Sequence, residues 1–507
     1  MDYSCRPKDQ DCTTSLLSQT PCQLSINNTE YILKTLRELY EDQRFFDIFL
    51  KVGNKEYGAH KLILSASSDV FQVMLMNTNW SESHKKEINL VEEPQCQKCF
   101  HLFLKYMYTG QLMITHTNVQ PILSLADKYM VKSLSRLCLQ YMYDHVSHAP
   151  SHNQLFSWLQ YLQSSGHEQM ASVCEEFIKL NFQDVSESAD FSNLDIENMM
   201  LLLKKDDLVI HDEAALYNCV VKWLKLQKSK LEEENIKYEL GNEDLEMKKG
   251  LEIAEYMKYL AELVMQYIRF PMMKPREIAN VLRCPLVRKY KDFLLDRLSM
   301  GAELHCGNRE NITDAWLEEN KELIQPRLYT SENCSAIIWI EDYTLLPKFH
   351  KISSQFQSDS TVFETRQLHK NGWEAFFYPK GVLYDPCYLL VWQGRFEVPE
   401  KAVSTVRMRI CCTKLVKPGK FKFSILVFGV KEKVEHIIKV KSEIHDITDV
   451  GTSINIDEIV PFEVLNPPNN EKQNNPRDSF LIGMQSKTLK VQVIVMPVHP
   501  LNFTKVV

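Results

Sequence analysis

Apolar residues recur at helical spacing near the start of the chain. Between residues 29 and 40 they return every three or four positions, which predicts an amphipathic helix. The apolar positions are Ile32, Leu33, Leu36, Leu39 and Tyr40. Such a stripe needs a second surface to cover it. Residues 1–27, which precede the helix, are polar and aperiodic, and we expect a flexible arm there.

A change of period follows the helix. Ile48, Leu50 and Val52 alternate with their neighbours, the pair Gly53-Asn54 interrupts them, and a second short run begins at Lys55. Alternation broken by a two-residue turn predicts a β-hairpin.

Helical periodicity dominates the middle of the chain and predicts an antiparallel array of helices. The apolar positions include Leu155, Trp158, Leu159, Leu162, Cys174, Phe177, Ile178, Phe182, Leu216, Tyr217, Val220, Trp223 and Leu224. A charged stretch from Lys225 to Lys249 interrupts the pattern. It is compatible with an extended helix carrying Glu/Lys pairs and with a mobile insert.

β-Branched and aromatic runs replace the helical pattern after residue 325. They predict strands at 336–340, 388–392, 406–411, 421–430, 436–440 and 490–495. Several short strands separated by proline and glycine are typical of an all-β sandwich. The pattern therefore predicts an α/β segment, an all-α segment and an all-β segment, in that order.

Composition excludes several classes of protein. The chain has 507 residues, 44% hydrophobic and 25% charged, enough for about three domains. Only 15 are glycine, which weighs against Gly-rich phosphate loops and against a kelch propeller. The net charge of -7, with lysine and arginine scattered among acids, argues against a nucleic-acid partner.

The expected location follows from two missing signals. No apolar run approaches the ~20 residues that a membrane helix needs, and the first residues lack a secretory hydrophobic core. We therefore expect a cytoplasmic protein without a membrane partner, with the nucleus as a second compartment.

No motif predicts catalysis, a cofactor or a bound metal. The chain contains no GxSxG, GxxxxGK[ST], GxGxxG or HExxH sequence. Its 14 cysteines are too sparse for a disulfide framework. Cys96 and Cys99, followed by His101, form half of a zinc motif, but no second pair follows at a useful spacing. Catalysis by this chain alone is not expected.

The segment from residue 28 to residue 145 resembles a BTB/POZ domain, whose motifs occur here in family order and spacing. The matching positions are Phe46, Ala59, His60, Lys61, Leu64, Ala66, Ser68, Phe71, Met74, Phe103, Met107, Tyr108, Thr109, Gly110, Leu125, Ala126, Asp127, Lys128 and Tyr129. The resemblance implies a homodimer in which Ile32, Leu33 and Leu36 pack across a two-fold axis. It also implies a charged pair, Asp47 and Lys61, near that interface, which the apolar neighbours Phe46 and Leu62 favour; a solvated surface charge is the competing role for each.

A short sequence inside the BTB-like segment suggests a partner. In BTB domains that serve as cullin-3 adaptors, a hydrophobic-x-Glu triplet stands where this chain has Trp80-Ser81-Glu82. An exposed aromatic anchor beside a carboxylate suits a protein interface. Alternatively, Trp80 packs inside the domain and Glu82 is only solvated.

The rest of the chain resembles the two domains that follow the BTB domain in one family. Residues 146–325 resemble a BACK helical domain, and residues 326–507 resemble the TRAF-like β-domain of the family that includes BTB/POZ domain-containing protein 17. We expect exposed aromatics of the β-domain to bind a protein client. The candidates are Trp373, Tyr378 and Trp392, and core packing is the competing role for each.

Two functions fit this domain order. The first is a homodimeric adaptor of a cullin-3 ubiquitin ligase, in which BTB and BACK hold the cullin and the β-domain holds an unidentified client. The second is a non-catalytic scaffold or transcriptional co-regulator that uses the BTB dimer without cullin.

Overall fold

The computed structural model of the protein describes residues 26–236, 243–306, 319–360, 370–383, 403–431, 433–467, 476–483 and 487–498. The chain divides into two compact units. The first comprises Met1–Ile114 and Pro121–Ser135, and the second comprises Thr115–Gln120 and Arg136–Val507.

The first unit is an α/β domain around a three-stranded sheet. Its elements are α1 (Thr29–Glu41), β1 (Ile48–Val52), β2 (Lys55–Ala59), α2 (Lys61–Ser67), α3 (Asp69–Met76), β3 (Glu87–Leu90) and α4 (Pro94–Thr109), with parts of α5 (Val119–Lys128) and α6 (Lys132–His145). The strand order is β2-β1-β3, with β1 antiparallel to β2 and parallel to β3. The predicted hairpin is confirmed: Val52 pairs with Lys55, and Gly53 has a φ of 58° that favours glycine.

Aromatic packing and a helix cap hold this unit together. The ring of Phe71 stacks on that of Tyr129 with centroids 4.6 Å apart. The Ser68 hydroxyl accepts a hydrogen bond from the backbone N–H of Phe71, 3.0 Å away, and donates one to the carbonyl of Tyr129. The cap satisfies a free amide at the start of α3 and ties that helix to the core.

Helices form the first part of the second unit, as predicted. They are α7 (Leu155–Ser164), α8 (Glu168–Leu180), α9 (Phe182–Val185), α10 (Ile196–Lys204), α11 (Glu213–Ile236), α12 (Glu243–Met265), α13 (Pro275–Leu282), α14 (Pro285–Lys289) and α15 (Lys291–Cys306), with the short strand β4 (Val209–Ile210) before α11. The charged stretch is helical as far as Ile236, with an ion pair of 3.2 Å between Lys228 and Glu232. Among the described residues, no helix combines the length and the apolar character needed to cross a membrane.

A β-sandwich of two four-stranded sheets forms the rest of the second unit. One sheet has the order β11-β10-β13-β6, and the other has the order β12-β9-β8-β7. The strands are β6 (Ser335–Ile340), β7 (Ile352–Asp359), β8 (Lys370–Tyr378), β9 (Arg407–Lys414), β10 (Gly419–Lys431), β11 (Val434–Ile447), β12 (Ser453–Ile456) and β13 (Leu489–Val498), with β5 (Leu328–Tyr329) before them and α16 (Phe462–Leu465) late in the domain. Five of the six predicted strands are confirmed, and the sixth, at 388–392, lies outside the described residues.

The sandwich rests on the helices through the outer face of its first sheet. The buried residues of this contact are Leu180, Val209, Leu328, Cys334, Leu426, Ile437, Ile494 and Met496. Strand β4 of the helical part pairs in parallel with β5, so backbone hydrogen bonds also cross the boundary. Apolar burial of this kind contributes about 1.5–3 kcal/mol for each large side chain.

The buried side chain of Asn181 joins the end of α8 to strand β11. Its Oδ1 accepts a hydrogen bond from the backbone N–H of Ile437 at 2.9 Å, and its Nδ2 donates to the carbonyl of the same residue at 3.3 Å. The amide thus occupies the place of a neighbouring strand at this residue, and it holds the β-domain in a fixed register against α8.

A buried ion pair lies at the same boundary. The side chains of Glu213 and Arg327 are both 0% exposed, and the Nε of Arg327 lies 3.3 Å from the Oε2 of Glu213. The guanidinium also donates to the carbonyls of Lys205 and Tyr267, each at 2.7 Å. Burial lowers the pKa of Arg327, and the charge of Glu213 opposes that change.

Glu213 gathers further donors from both sides of the boundary. Its Oε2 accepts a hydrogen bond from the Tyr329 hydroxyl at 2.6 Å, and its Oε1 accepts one from the backbone N–H of Arg269 at 2.7 Å. The guanidinium of Arg269 donates to the carbonyl of Gln325 at 2.7 Å. One carboxylate therefore organises the start of α11, the segment after α12 and strand β5.

Replacing Arg327 with alanine should destabilise the second unit by about 3–5 kcal/mol, because it leaves the Glu213 carboxylate buried without its cation. Urea unfolding followed by tryptophan fluorescence measures the change. Arg409→Ala, at an exposed position of β9, is the matched control. Equal unfolding midpoints for Arg327→Ala and Arg409→Ala would show that the ion pair is not a structural element of the boundary.

Candidate protein-binding surfaces

Trp80 lies on the surface, at the beginning of a 3₁₀ turn formed by Ser81–His84. Its side chain is 49% exposed. Its backbone is fixed on both sides: its N–H donates to the carbonyl of Asn77 at 3.0 Å, and its carbonyl accepts from the hydroxyl of Ser83 at 2.7 Å. Of the two alternatives left by the sequence, the structure therefore favours an exposed indole on a well-ordered turn.

Glu82 follows Trp80 in the same turn and is held as a carboxylate. It accepts a hydrogen bond from the Ser81 hydroxyl at 2.9 Å and pairs with the ammonium of Lys85 at 3.3 Å. The Ser81 hydrogen bond, the backbone and Lys85 lower the pKa of Glu82. The carboxylate is charged at neutral pH and remains at the surface next to the indole.

Helix α1 presents an uncovered apolar stripe. None of its residues is buried, and Ile32 and Leu33 are 60% and 46% exposed, with Leu36 partly exposed. The C-terminal end of the helix packs on α4, where the rings of Tyr40 and Tyr108 lie 5.2 Å apart. The helix is therefore anchored near its C-terminal end, while Ile32 and Leu33, which the sequence assigned to a dimer contact, remain exposed.

Asp47 and Lys61 are adjacent, but the structure describes no ion pair between their side chains. The Asp47 Oδ1 instead accepts from the backbone N–H of Lys61 at 2.8 Å, at the start of α2, and the Lys61 ammonium donates to the carbonyl of Ser83 at 2.7 Å. Lys61 therefore ties α2 to the turn that carries Trp80. The predicted role of both residues at an interface between two copies stays a prediction.

His60 is a structural residue. Its Nδ1 lies 2.8 Å from the hydroxyl of Tyr108, and its Nε2 lies 2.8 Å from the carbonyl of Arg44. Burial raises the pKa of Tyr108 to about 12. Both ring nitrogens of His60 are engaged in these contacts, which leaves neither for chemistry.

The expectation that Trp373 is an exposed client contact is wrong. It lies on β8 with a side chain only 1% exposed, packs edge-on against Phe423 at 5.5 Å, and donates from its ring nitrogen to the Ser358 hydroxyl at 2.8 Å. Alternation along β8 puts Trp373 in the core and turns Tyr378 to the outer face, where it is partly exposed. Trp392 lies outside the described residues.

An exposed aromatic patch that the sequence analysis missed lies on the other sheet. Trp339, on edge strand β6, is 54% exposed and its neighbour Ile337 is 45% exposed. The ammonium of Lys490 lies 4.8 Å from the Trp339 ring centroid and 4.1 Å from that of Phe428. The only sequence signal was the apolar run at 336–340, and it does not say which face of the strand stays uncovered.

The half-motif for zinc does not assemble into a site. Cys96 is buried and its thiol contacts the carbonyl of Pro121 at 3.7 Å, and burial raises the pKa of both Cys96 and Cys99. In the part of the chain that the structure describes, no group of three or more His, Cys, Asp or Glu residues is arranged to hold a metal ion.

Histidine rings cluster around His116 in the second unit. The ring of His152 stacks on it at 4.1 Å, and those of His145 and His148 lie 5.6 and 6.0 Å away. The Nδ1 of His116 is buried without a hydrogen-bond partner. Burial and the neighbouring histidines lower the pKa of His116 to about 4, so its ring is neutral at pH 7.

Comparison with known families agrees with this architecture. Family models match in order along the chain: a BTB/POZ domain at residues 36–146, a domain described as BTB And C-terminal Kelch (BACK) at 155–237, and a BTBD17 TRAF domain at 324–499. The chain is therefore a BTB–BACK protein with a C-terminal TRAF domain. Domains of these kinds are typical of non-catalytic adaptors and scaffolds and generally mediate protein–protein interactions.

Curated relatives give the narrower assignment. The human BTB/POZ domain-containing protein 17 is 32% identical over 360 residues, 69% of this chain and 65% of that protein. Its Xenopus laevis counterpart is 24% identical over 364 residues, 70% of this chain and 69% of that protein. Mouse Kelch repeat and BTB domain-containing protein 8 is 24% identical over 251 residues, 49% of this chain and 37% of that protein. The chain's domains and its similarity over most of its length are those of the BTB/POZ domain-containing protein 17 family.

The histidine cluster predicts acid sensitivity. In the unfolded chain His116 titrates near its ordinary pKa of 6.5, whereas in the folded state it titrates near 4. Between these values the unfolded state binds the additional proton, so stability should fall as pH drops from 6.5 to 4. Urea midpoints measured across this window test the expectation. His116→Asn should flatten the fall and the control His350→Asn, at an exposed position, should not; identical slopes for the two would contradict it.

Proposed function

We propose that the chain is a homodimeric, non-catalytic adaptor that recruits a protein client to a cullin-3 ubiquitin ligase, acting in the cytoplasm and also in the nucleus. In this proposal the BTB and BACK domains bind the cullin and the C-terminal β-domain binds the client. No cofactor takes part.

The exposure of Trp80 on an ordered turn is the observation that carries the cullin part. An aromatic side chain that is half exposed and backed by a rigid turn loses little conformational entropy on binding, which is a common feature of interface anchors. The carboxylate of Glu82 beside it adds a charge that can steer encounter with a basic partner. Lys61 braces the turn from α2.

The exposed stripe on α1 supports the dimer. Ile32 and Leu33 stay in water, and a second copy would cover them by symmetry. A dimer carries two client-binding domains, which can bind two clients or contact one client twice, and the second arrangement raises avidity. The second candidate function, a scaffold or transcriptional co-regulator without cullin, uses the same dimer.

The double variant Trp80→Ala/Glu82→Ala should reduce co-purification of cullin-3 at least about tenfold, because an aromatic interface anchor is worth about 2 kcal/mol or more. The chain supplies a matched control, Trp339→Ala/Glu341→Ala, with the same residue types at the same spacing on the β-domain. Wild-type chain that fails to retain cullin-3, or a double variant that retains it fully, would favour the scaffold function.

The double variant Ile32→Glu/Leu33→Glu should convert the dimer to a monomer, because it places two like charges on each side of the contact. Sedimentation velocity at about 10 μM, far above the dissociation constant of a stable dimer, measures the change. Val91→Glu, at a position 83% exposed in the same domain, should leave the dimer intact. A wild-type monomer in this experiment would remove the dimer from the proposal.

A further inference from the structure

A groove runs along the boundary between the helices and the β-sandwich of the second unit. Two adjoining cavities of about 460 and 450 Å³ share four lining residues, Asn181, Asp184, Glu435 and His436, and we call the combined feature the seam groove. Each cavity alone has the volume of an ordinary ligand site.

The floor and one end of the seam groove are built from fixed contacts. Asn181 is clamped to the backbone of Ile437, and the ring of His436 packs on Phe177 at 5.4 Å. At the tip of the β10–β11 hairpin, the ammonium of Lys431 donates to the carbonyl of Tyr143 at 2.6 Å. The groove is therefore preorganised, which lowers the entropic cost of binding.

The charges of the lining favour a cationic occupant. Three carboxylates, those of Asp184, Glu187 and Glu435, face it against one ammonium, that of Lys490. Lys490 pairs with Glu435, and Glu187 pairs at 2.7 Å with Lys222. The exposed carboxylate of Asp184, which lines both cavities, has no counter-ion among the ion pairs of the described residues.

The aromatic patch continues the seam groove at its sandwich side. Phe428 and Lys490 line the larger cavity, and Lys490 of β13 stands directly opposite Trp339 of β6 in the sheet. Trp339 and Ile337 thus offer exposed apolar area next to the acidic groove. An extended chain can place a cation in such a groove and an apolar side chain on its rim at the same time.

We propose that the seam groove binds an extended segment of a partner protein that contains an arginine or lysine and a large apolar side chain. The cation pairs with Asp184, and the apolar side chain packs on Trp339. Only the description of this partner as the client rests on the proposed adaptor function. An anionic segment is disfavoured because it would meet the carboxylates of the lining.

The test uses purified full-length chain and two libraries of immobilised peptides, each about ten residues long, sufficient for an extended segment. One library has a fixed central arginine and the other a fixed central glutamate, with the remaining positions randomised. Wild-type chain should be retained about fivefold more by the arginine library, the scale of one exposed ion pair. Sequenced binders should be enriched in aromatic and large aliphatic residues.

Two groove variants and one control decide the outcome. Asp184→Lys should remove or reverse the preference for arginine, and Trp339→Ala should remove the apolar enrichment. Asp446→Lys makes the same charge change at an exposed position of β11 away from the lining and should behave as wild type. Equal retention of both libraries by the wild type, or an unchanged preference in Asp184→Lys, would overturn the proposal.

The same variants separate this inference from the adaptor function. Asp184→Lys should still co-purify with cullin-3, and Trp80→Ala/Glu82→Ala should still prefer the arginine library. If the wild-type chain selects peptides but does not bind cullin-3, the groove proposal stands and the adaptor proposal fails. If it binds cullin-3 but does not select peptides, the adaptor proposal stands and the groove proposal fails. Unchanged urea midpoints establish that each variant is folded.

Discussion

The buried ion pair of Glu213 and Arg327 is the interaction on which the second unit depends. Both side chains are withdrawn from water, which is costly, so the pair needs further hydrogen bonds to compensate. Those bonds involve the backbone just after α10 and α12 and Tyr329 of strand β5, so the pair forms only when the β-domain is seated. The Nε of Arg327 keeps its ion-pair contact with Glu213 but has no hydrogen-bond partner within the described part of the chain. A buried polar network of this kind contributes specificity more than stability, because a displaced seating would leave charges unpaired.

Apolar packing and the polar network have different roles at the boundary. The buried cluster that includes Leu180, Leu426 and Ile494 supplies non-directional burial that several relative orientations would satisfy. Asn181 and Glu213 accept hydrogen bonds with narrow geometry, and they select one of those orientations. The seam groove lies along this boundary, and Asn181, which lines both of its cavities, is one of the residues that fix the orientation.

Sequence pattern predicted strands that contain long β-branched or aromatic runs and missed others, namely β7, β8 and β12. Strands β10 and β13 are rich in β-branched and aromatic residues and were predicted, whereas β7, with the sequence Ile-Ser-Ser-Gln-Phe-Gln-Ser-Asp, has a weak alternation. The BTB motifs singled out Trp80 but left open whether it is exposed or packed inside, and the structure puts it on a surface turn. They could not locate client contacts, because an aromatic residue in a strand faces the core or the solvent according to register, as Trp373 and Trp339 show.

The Glu213 network and Asn181 lay beyond the reach of pattern analysis for a different reason. A glutamate at the start of a helix and an asparagine at the end of one are ordinary surface residues in most sequences. Their partners here stand 114 residues away at Arg327 and 256 residues away at Ile437, and no local signal connects such positions. An adaptor would benefit from this arrangement. Because the β-domain has a fixed orientation on its helices, the fold, and not a flexible linker, would set the distance between a segment bound to the β-domain and a partner bound to the helices.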